Sequence, residues 1–501
     1  MKLDITKINT FGLLKKHGYR SLPVKDEMRN NLVRMLKNNE KIFNGIIGYN
    51  ETVIPDIQTA MLSRHNIILL GLRGQAKTKI ARLMIELLDE CIPVIKGAEL
   101  PEDPFKPISK QAKDILSELG DETPIEWLHR NERYTEKLAT PDVTIADLIG
   151  DVDPIKAASL KLHYSDERVI HFGLIPRSHR GIFVINELPD LQARIQVALF
   201  NILQEKDIQI RGFKIRLPLD VQFVFTANPE DYTNRGSIVT PLKDRIDSQI
   251  LTHYPKTINI SKKITDQEAK FTDDQKKNIF AHELVKNLIE QISFEARESD
   301  YVDPKSGVSA RLTISGYENL ISTAERRMLL NKEEYTTIRI SDFLGVIPAI
   351  TGKIELVYEG EQEGQAKVAQ ILLAKAFKSQ FSYYFPSPEL IKKQKEDNPY
   401  QKIIGWFGSG NSLDLLNSAP EQKYRKDLSK VPGLEDLVSR YHPDLKENDK
   451  FLFMEFALHG LAEHSLLSKH HIESGLQFKD MFSSMFQISN DEDWENDESI
   501  L

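Results

Sequence analysis

Along residues 46–255, short runs of apolar residues alternate with stretches in which apolar residues recur every three or four positions. The short runs are typical of buried strands, because a strand that is covered on both faces has few polar positions. Three runs have this character: Ile67–Leu70, Ile182–Ile185 and Val221–Thr226. The longer spacing, found after Lys77 and after Pro189, is typical of helices with one buried face. The alternation predicts an α/β fold in three layers, with helices on both faces of a parallel sheet.

The pattern also divides the chain into segments of different character. Residues 46–257 form the predicted α/β domain, within which residues 97–149, polar and proline-rich at their start, are interpreted as an insertion. Residues 258–274 are interpreted as a polar linker. The other predicted segments are a charged helical lead-in (1–45), a helical domain (275–380), a helix-leaning C-terminal region (386–487) and an acidic tail (488–501).

The composition is that of an ordinary globular protein, with 40% hydrophobic and 28% charged residues. The net charge of −8 argues against a nucleic-acid partner. Cys91 is the single cysteine, so no internal disulfide can form, which fits a reducing compartment. The N-terminus lacks the apolar stretch of a signal peptide, and no run approaches the ~18 apolar residues that a membrane-spanning helix needs. We therefore expect a cytoplasmic protein without membrane insertion.

The first apolar strand leads into a glycine-rich segment, Gly71-Leu-Arg-Gly74-Gln75-Ala76-Lys77-Thr78, after which a helix begins. This order nearly matches a phosphate-binding loop, in which main-chain N–H groups and the helix N-terminus surround the phosphates of ATP. Lys77 would contact the β- and γ-phosphates, and the Thr78 hydroxyl would bind Mg²⁺. Ala76 stands where the pattern has a second glycine. We expect its φ to stay negative or the loop to adjust, with Gly74 supplying the missing freedom.

The other two apolar strands end in polar residues. Asn186 and Glu187 follow the second strand, in positions where a metal-supporting carboxylate and a general base usually stand. The amide oxygen of Asn186 can accept from a metal-bound water without the charge of aspartate, so we expect weaker support of Mg²⁺. Asn228 ends the third strand and could reach the γ-phosphate or the attacking water, since ligands bind at that edge of such sheets. The alternative for Asn186 and Glu187 is a pair that only caps the strand. The alternative for Asn228 is an ordinary turn before proline.

Two arginines could respond to nucleotide. Arg245, in Pro-Leu-Lys-Asp-Arg, follows the third strand and could complete the ATP site of a neighbouring subunit by stabilising charge on the γ-phosphoryl group. Arg311 lies at the front of the helical domain, where it could report the nucleotide state. A surface residue or a salt-bridge partner is the alternative for each.

The order of these parts resembles the AAA+ ATPases, and more closely their magnesium chelatase I-subunit and MoxR-like branch. The resemblance covers residues 40–380, and residues 97–149 and 386–501 have no counterpart in it. Beside the phosphate loop it rests on four stretches: Ile47-Gly48-Tyr49, Leu148-Ile-Gly-Asp151 with Gly173-Leu-Ile-Pro, His179-Arg-Gly181, and Pro241-Leu-Lys-Asp-Arg-Ile.

The resemblance implies an α/β nucleotide-binding domain followed by a helical lid, with hairpin insertions at residues 149–180 and 206–217. It implies a homo-oligomer, a hexameric ring with ATP between subunits, and often a separate partner protein of the von Willebrand A type. By position, Ile47 and Gly48 would lie near the adenine. Arg245 would be the arginine finger and Arg311 the sensor in the lid.

Three functions are consistent with the sequence. The first is an ATPase that remodels a client protein. The second is a nucleotide-dependent regulatory module, in which Asn186 and Ala76 leave ATP binding with little turnover; Glu187 favours the first over the second. The third is a transcriptional regulator that acts on an alternative sigma factor, although the Gly-Ala-Phe-Thr-Gly-Ala loop of those ATPases does not occur here. No feature of the sequence recognises a porphyrin, so metal chelation is not expected.

Overall fold

The computed structural model describes residues 7–163, 166–210, 216–229, 237–394 and 398–481. The chain forms two compact units, Met1–Tyr254 and Pro255–Leu501. No helix in these described ranges is long and apolar enough to cross a membrane.

The N-terminal unit is built on a sheet of five parallel strands. In chain order they are β1 (Ile67–Leu70), β2 (Tyr134–Leu138), β3 (Gly181–Asn186), β4 (Val221–Ala227) and β5 (Ser248–Leu251). Their order across the sheet is β5-β1-β4-β3-β2. Ile67 of β1 lies opposite Val224 on one side and Ser248 on the other. The predicted α/β fold is therefore confirmed, and the three predicted strands lie at its centre.

The two strands that the pattern did not predict lie at the edges of the sheet. Strand β2 lies inside the segment that was interpreted as an insertion, and it pairs with β3 from Tyr134 to Leu138. Both β2 and β5 contain polar residues, because an edge strand is only partly covered and polar side chains there discourage pairing with another chain. Their sequences are therefore not apolar runs.

Two apolar clusters cover the two faces of the sheet. One contains Phe183 and Phe225, and it includes the helix Ala193–Glu205. The other contains Ile67 and Val224 and includes Val24 and Met28, so the predicted N-terminal lead-in is part of this core. The helix predicted after Lys77 is α-helical only to Leu83 and continues as the 3₁₀ turn Met84–Leu87, with its predicted apolar positions largely buried.

The remaining elements of this unit are short. The other α-helices are Phe11–Lys16, Val24–Lys37, Val53–Leu62, Lys110–Leu119, Ile145–Leu148, Pro154–Leu160, Leu174–Arg177 and Thr240–Asp244. Antiparallel pairs are formed by Cys91–Ile95 with Ile125–His129, Gly150–Val152 with Ile170–Phe172, and Asp207–Gln209 with Arg216–Pro218. The last two pairs lie where the resemblance implied hairpins.

The C-terminal unit is mainly helical. Its helices are Ile258–Glu268, Asp273–Asn278, Glu283–Arg297, Arg311–Leu330, Ile347–Thr351, Tyr358–Glu363, Gln365–Tyr384, Pro388–Gln394, Gln401–Gly408, Glu421–Leu428, Leu434–Tyr441 and Glu447–Glu463. It also contains a three-stranded antiparallel sheet (Leu413–Leu416, Gly475–Lys479, Ser468–Ile472) and a short parallel pair (Ile279–Phe280, Thr336–Thr337). One apolar core runs from Ile279 to Phe478. It therefore joins residues of the helical domain (275–380) and of the C-terminal region (386–487), which were predicted as separate segments.

The interpretation of residues 258–274 as a polar linker was wrong. The helix Ile258–Glu268 occupies most of this segment, and the Thr257 hydroxyl caps it by accepting from the Ile260 N–H at 3.3 Å. Its buried side carries hydroxyl groups, and Thr265 donates to the buried carboxylate of Glu290 at 2.5 Å. A helix with a polar buried side lacks the apolar spacing by which helices are predicted.

Candidate nucleotide site

The phosphate loop begins where β1 ends and stops where a helix begins at Lys77. The Gly71 N–H donates to the Ala227 carbonyl at 3.2 Å, which ties the start of the loop to the end of β4. A Cβ atom on Gly71 would lie 2.0 Å from Thr252 Oγ1 and 2.2 Å from Gln75 Oε1. Glycine is therefore required at this position by packing.

The turn of the loop uses left-handed backbone at two residues. Gly74 has φ of 74°, which glycine adopts freely. Ala76 has φ of 59° and ψ of 15°, which excludes the negative φ that was one of the two expected alternatives. This left-handed geometry is less stable for alanine than for glycine, because alanine has a Cβ atom.

Three side chains from other parts of the unit brace the loop. The Thr252 hydroxyl donates to Oε1 of the buried Gln75 at 2.6 Å. The Tyr49 hydroxyl lies 3.0 Å from the Gln75 carbonyl, and Tyr254 donates to the Arg73 carbonyl at 3.0 Å. The Gln75 side chain is thus hydrogen-bonded to Thr252, the residue that follows β5. Gln75 would reach a phosphate through its main chain.

Lys77 points into the loop. Its Nζ donates to the carbonyl of Gly71 and to that of Leu72, the latter at 3.0 Å, and the side chain is 7% exposed. Thr78 follows in the first turn of the helix. An ammonium group inside a ring of main chain at a helix N-terminus fits a chain of phosphates.

The carboxyl ends of β3 and β4 bring the other polar residues to the same edge of the sheet. Asn186 is the last residue of β3, and the Thr226 hydroxyl of β4 lies 3.2 Å from its Oδ1. The Glu187 N–H donates to the same hydroxyl at 3.1 Å. The Ala227 carbonyl of β4 also accepts a hydrogen bond from the Gly71 N–H, so the loop and both strand ends lie together.

Asn228 presents a buried side-chain oxygen at the same edge of the sheet. Its side chain is 2% exposed, and its Oδ1 has no hydrogen-bond partner within the described part of the chain. An unsatisfied buried oxygen costs about 1–3 kcal/mol, so such atoms normally have a partner. A water bound beside the phosphates would supply the donor.

A metal ion would depend mainly on the nucleotide here. Across the described ranges, no group of three or more His, Cys, Asp or Glu side chains could hold a metal ion. The Thr78 hydroxyl and the Asn186 amide fit Mg²⁺, because Mg²⁺ takes few protein ligands and usually keeps phosphate oxygens and waters.

The remaining predicted residues are placed differently. Ile47 and Gly48 directly precede Tyr49, whose hydroxyl lies 3.0 Å from the Gln75 carbonyl of the loop. Arg245 ends the helix Thr240–Asp244, where it donates to Gln204 Oε1 at 2.8 and 3.0 Å. Arg311 is the exposed first residue of the helix Arg311–Leu330 in the C-terminal unit. The structure thus brings together the loop and the ends of β3 and β4, whereas the hydrogen bonds of Arg245 within the described part of the N-terminal unit go to Gln204 and Pro241.

Three residues of the site were missed by sequence reasoning. Thr226 was treated only as part of an apolar strand, although a hydroxyl near the carboxyl end of a buried strand is a usable signal. Tyr49 belongs to the stretch Ile47-Gly48-Tyr49 of the family resemblance, but no role was predicted for it. Thr252 had no local signal, because its contact with Gln75 joins residues far apart in the chain.

The family comparison agrees with this geometry. Residues 163–249 match the profile described as the Sigma-54 interaction domain. This segment holds β3, β4, Asn228 and Arg245, and the phosphate loop lies on the neighbouring strand of the same sheet. The match and the structure thus meet on one parallel α/β sheet, in which the phosphate loop follows the first strand.

Several solved structures are also similar to the chain. The complex of subunits BchI and BchD of magnesium chelatase shares 17% identity over 64% of this chain and 98% of that chain, with a TM-score of 0.34. A mutant of RuvB of Thermotoga maritima shares 10% over 77% and 97%, with a TM-score of 0.34. NtrX of Brucella abortus, in complex with ATP, shares 12% over 62% and 52%, with a TM-score of 0.30. At such TM-scores, the fold is described from the strand order of the sheet alone.

Proposed function

We propose that this protein binds ATP with Mg²⁺ at the carboxyl edge of the sheet and hydrolyses it to drive a change in a client protein. One observation carries the proposal. The Lys77 loop, Glu187 and the unsatisfied buried oxygen of Asn228 lie at one edge of one sheet. Open parallel sheets bind their ligands at this edge.

Each residue has a distinct role in this proposal. The loop N–H groups bind the phosphates, and Lys77 exchanges its carbonyl partners for phosphate oxygens. The Glu187 carboxylate takes a proton from the attacking water, whose oxygen bonds to the γ-phosphorus as the bond to ADP breaks. The Asn228 side chain orients that water. Mg²⁺, held by the Thr78 hydroxyl and supported by Asn186, supplies positive charge beside the phosphate oxygens when it is bound.

We also propose an assembly of the kind that the family resemblance implies. In a homo-oligomeric ring, Arg245 of one subunit would reach the γ-phosphate in the next, while Ile47 and Gly48 contact the adenine and Arg311 responds from the helical domain. The client is proposed to be a separate protein, with a von Willebrand A-type partner as one candidate. Metal chelation itself is not part of the proposal.

The test compares ATP turnover and ATP binding of the wild type with those of Lys77→Ala and Glu187→Gln. Lys77→Ala is expected to lose ATP binding. Glu187→Gln is expected to bind ATP normally while kcat falls about 10²-fold or more, because it loses a general base. Glu205→Gln is the matched control, since Glu205 is an exposed carboxylate at the end of the helix Ala193–Glu205.

If the wild type and Glu187→Gln bind ATP and are equally inactive, the motor function is contradicted and the regulatory module is supported. A sigma-factor regulator is a second candidate, favoured by the match of residues 163–249 to the Sigma-54 interaction domain. It requires nucleotide-dependent binding of a sigma factor to this chain, and absence of such binding would contradict it.

A further inference from the structure

The hydroxyl of Thr226 lies between the two polar residues that end β3. Thr226 is 1% exposed on β4. Its Oγ1 accepts from the Glu187 N–H at 3.1 Å and lies 3.2 Å from Asn186 Oδ1. The N–H can only donate, which leaves the single hydroxyl proton for the contact with the Asn186 oxygen. One small side chain therefore orients both residues.

Glu187 needs this contact because it leaves the sheet in an unusual conformation. The ladder between β3 and β4 ends with Ile185 opposite Phe225. Glu187 then has φ of 55° and ψ of 52°, a left-handed conformation that is strained for a residue with a Cβ. The Thr226 hydroxyl serves as the acceptor for the Glu187 N–H and stabilises this turn. This backbone conformation fixes the direction in which the Glu187 side chain leaves the main chain.

Asn186 needs the contact for a different reason. An amide has two different ends, and rotation by half a turn exchanges the oxygen and the nitrogen. The Thr226 proton selects the orientation in which Oδ1 faces β4. The buried β3 end, with Asn186 opposite Leu138 on its other side, holds that orientation.

We propose that Thr226 is a positioning residue for ATP hydrolysis, which fixes the direction of the Glu187 carboxylate and the orientation of the Asn186 amide. This inference rests on the proposed ATPase function. Thr226 acts through its two neighbours and does not belong to the phosphate loop. Its loss is therefore expected to lower turnover and to leave nucleotide binding intact.

The experiment uses the full chain with Thr226→Val, which replaces the hydroxyl by a methyl group of similar size, and with Thr226→Ser, which keeps the hydroxyl. Thr135→Val on β2 is the matched control, a threonine of the same sheet that lies opposite Phe183. Equilibrium binding of ATP and steady-state turnover are measured for each protein. Thr226→Val is expected to bind ATP within about twofold of the wild type while kcat falls at least about tenfold. Thr226→Ser is expected to keep kcat within about threefold, because it restores both hydrogen bonds.

The outcomes separate this inference from the proposed function. Wild-type turnover with an unchanged kcat in Thr226→Val would overturn the inference alone. The inference also fails if Thr226→Val loses binding and turnover together and serine does not rescue either, since that is a purely structural effect. Absence of turnover in the wild type would overturn the proposed function and this inference with it.

Discussion

At the scale of single residues, Ala76 is the position where the loop departs most from what its sequence favours. Its left-handed φ of 59° costs about 1–2 kcal/mol for a residue with a Cβ, and glycine avoids that cost. Glycine also gives the unfolded chain more freedom, which offsets part of the gain. We expect Ala76→Gly to raise the free energy of unfolding of the N-terminal unit by about 1 kcal/mol, measured by urea or thermal unfolding.

The matched control for this change is Ala81→Gly, in the helix that follows the loop. Ala81 is buried in a right-handed helix, where glycine costs about 1 kcal/mol. The two substitutions are therefore expected to change stability in opposite directions. A loss of stability in both variants would show that the left-handed conformation of Ala76 carries no cost.

At the scale of elements, a buried polar cluster joins the N-terminal helix Val24–Lys37 to the amino ends of β3 and β4. Arg133 forms two hydrogen bonds of 2.7 Å with the Glu27 carboxylate of that helix. The Asp220 carboxylate accepts from the Val24 N–H at 2.7 Å. The Arg180 N–H donates to the Asp220 carbonyl at 2.6 Å, so the two strands and the helix share one set of bonds. This set lies at the end of the strands opposite to the nucleotide site.

The Asp220 carboxyl makes the stability of this junction depend on pH. Burial raises the pKa of Asp220 from its usual 3.8 to about 6. The folded state therefore holds the proton more tightly than the unfolded chain, and the resulting stability is full below pH 3.8 and is lost as the pH rises through about 6. Asp220→Asn keeps an acceptor for the Val24 N–H without the charge. We expect it to raise the free energy of unfolding at pH 8 by about 1 kcal/mol.

The measurement compares unfolding of Asp220→Asn and the wild type at pH 8 and pH 4.5. The pKa of His179, lowered by burial to about 3, acts in the opposite direction, and the comparison of the two proteins removes its contribution. Asp247→Asn is the control, because this exposed carboxylate also accepts a main-chain N–H, from Asn66 at 2.7 Å. An equal gain for both variants at pH 8, or a loss for Asp220→Asn, would contradict the prediction.

The elements also show which parts of the fold a sequence can predict. Strands β1, β3 and β4 were predictable because both faces of each are covered, which forces apolar runs. The edge strands β2 and β5 were not, because one flank of each tolerates polar residues. The order of Lys77, Glu187 and Asn228 was predictable for a related reason: each follows a central strand, so the parallel sheet places them at one edge.

The rest of the site depends on contacts between residues far apart in the chain. Tyr49 reaches the carbonyl of His253 at 2.7 Å, and Thr252 reaches Gln75, and neither contact leaves a local pattern. The left-handed φ of Ala76 could not be predicted from the sequence either. The motif has glycine at this position, and an alanine there does not indicate which backbone conformation it adopts. Motif order thus identified the groups that are proposed to carry the chemistry, while the groups that hold them in place required the structure.

At the scale of the whole molecule, the proposed ring predicts that two inactive variants restore each other. Arg245→Ala keeps its own phosphate loop but offers no arginine to its neighbour, and Lys77→Ala has the reverse defect. Each alone is expected to lose at least about tenfold in kcat. In an equal mixture, about one interface in four pairs an intact loop with an intact arginine, so ATP turnover should return toward about a quarter of the wild-type value. Lys77→Ala mixed with the double variant Lys77→Ala/Arg245→Ala forms no complete site and is the control.

This complementation also decides between the two roles of Arg245. In the single chain its guanidinium is held by Gln204, by the Pro241 carbonyl at 2.7 Å and by the ring of Phe200 at 5.3 Å. A trans-acting arginine has to exchange the Gln204 bonds for phosphate oxygens of the neighbouring subunit, whereas a structural arginine keeps them. Mixed variants whose turnover equals the sum of their separate activities would show that Arg245 serves only its own subunit. Restored turnover requires the exchange, because no single polypeptide in the mixture contains both groups.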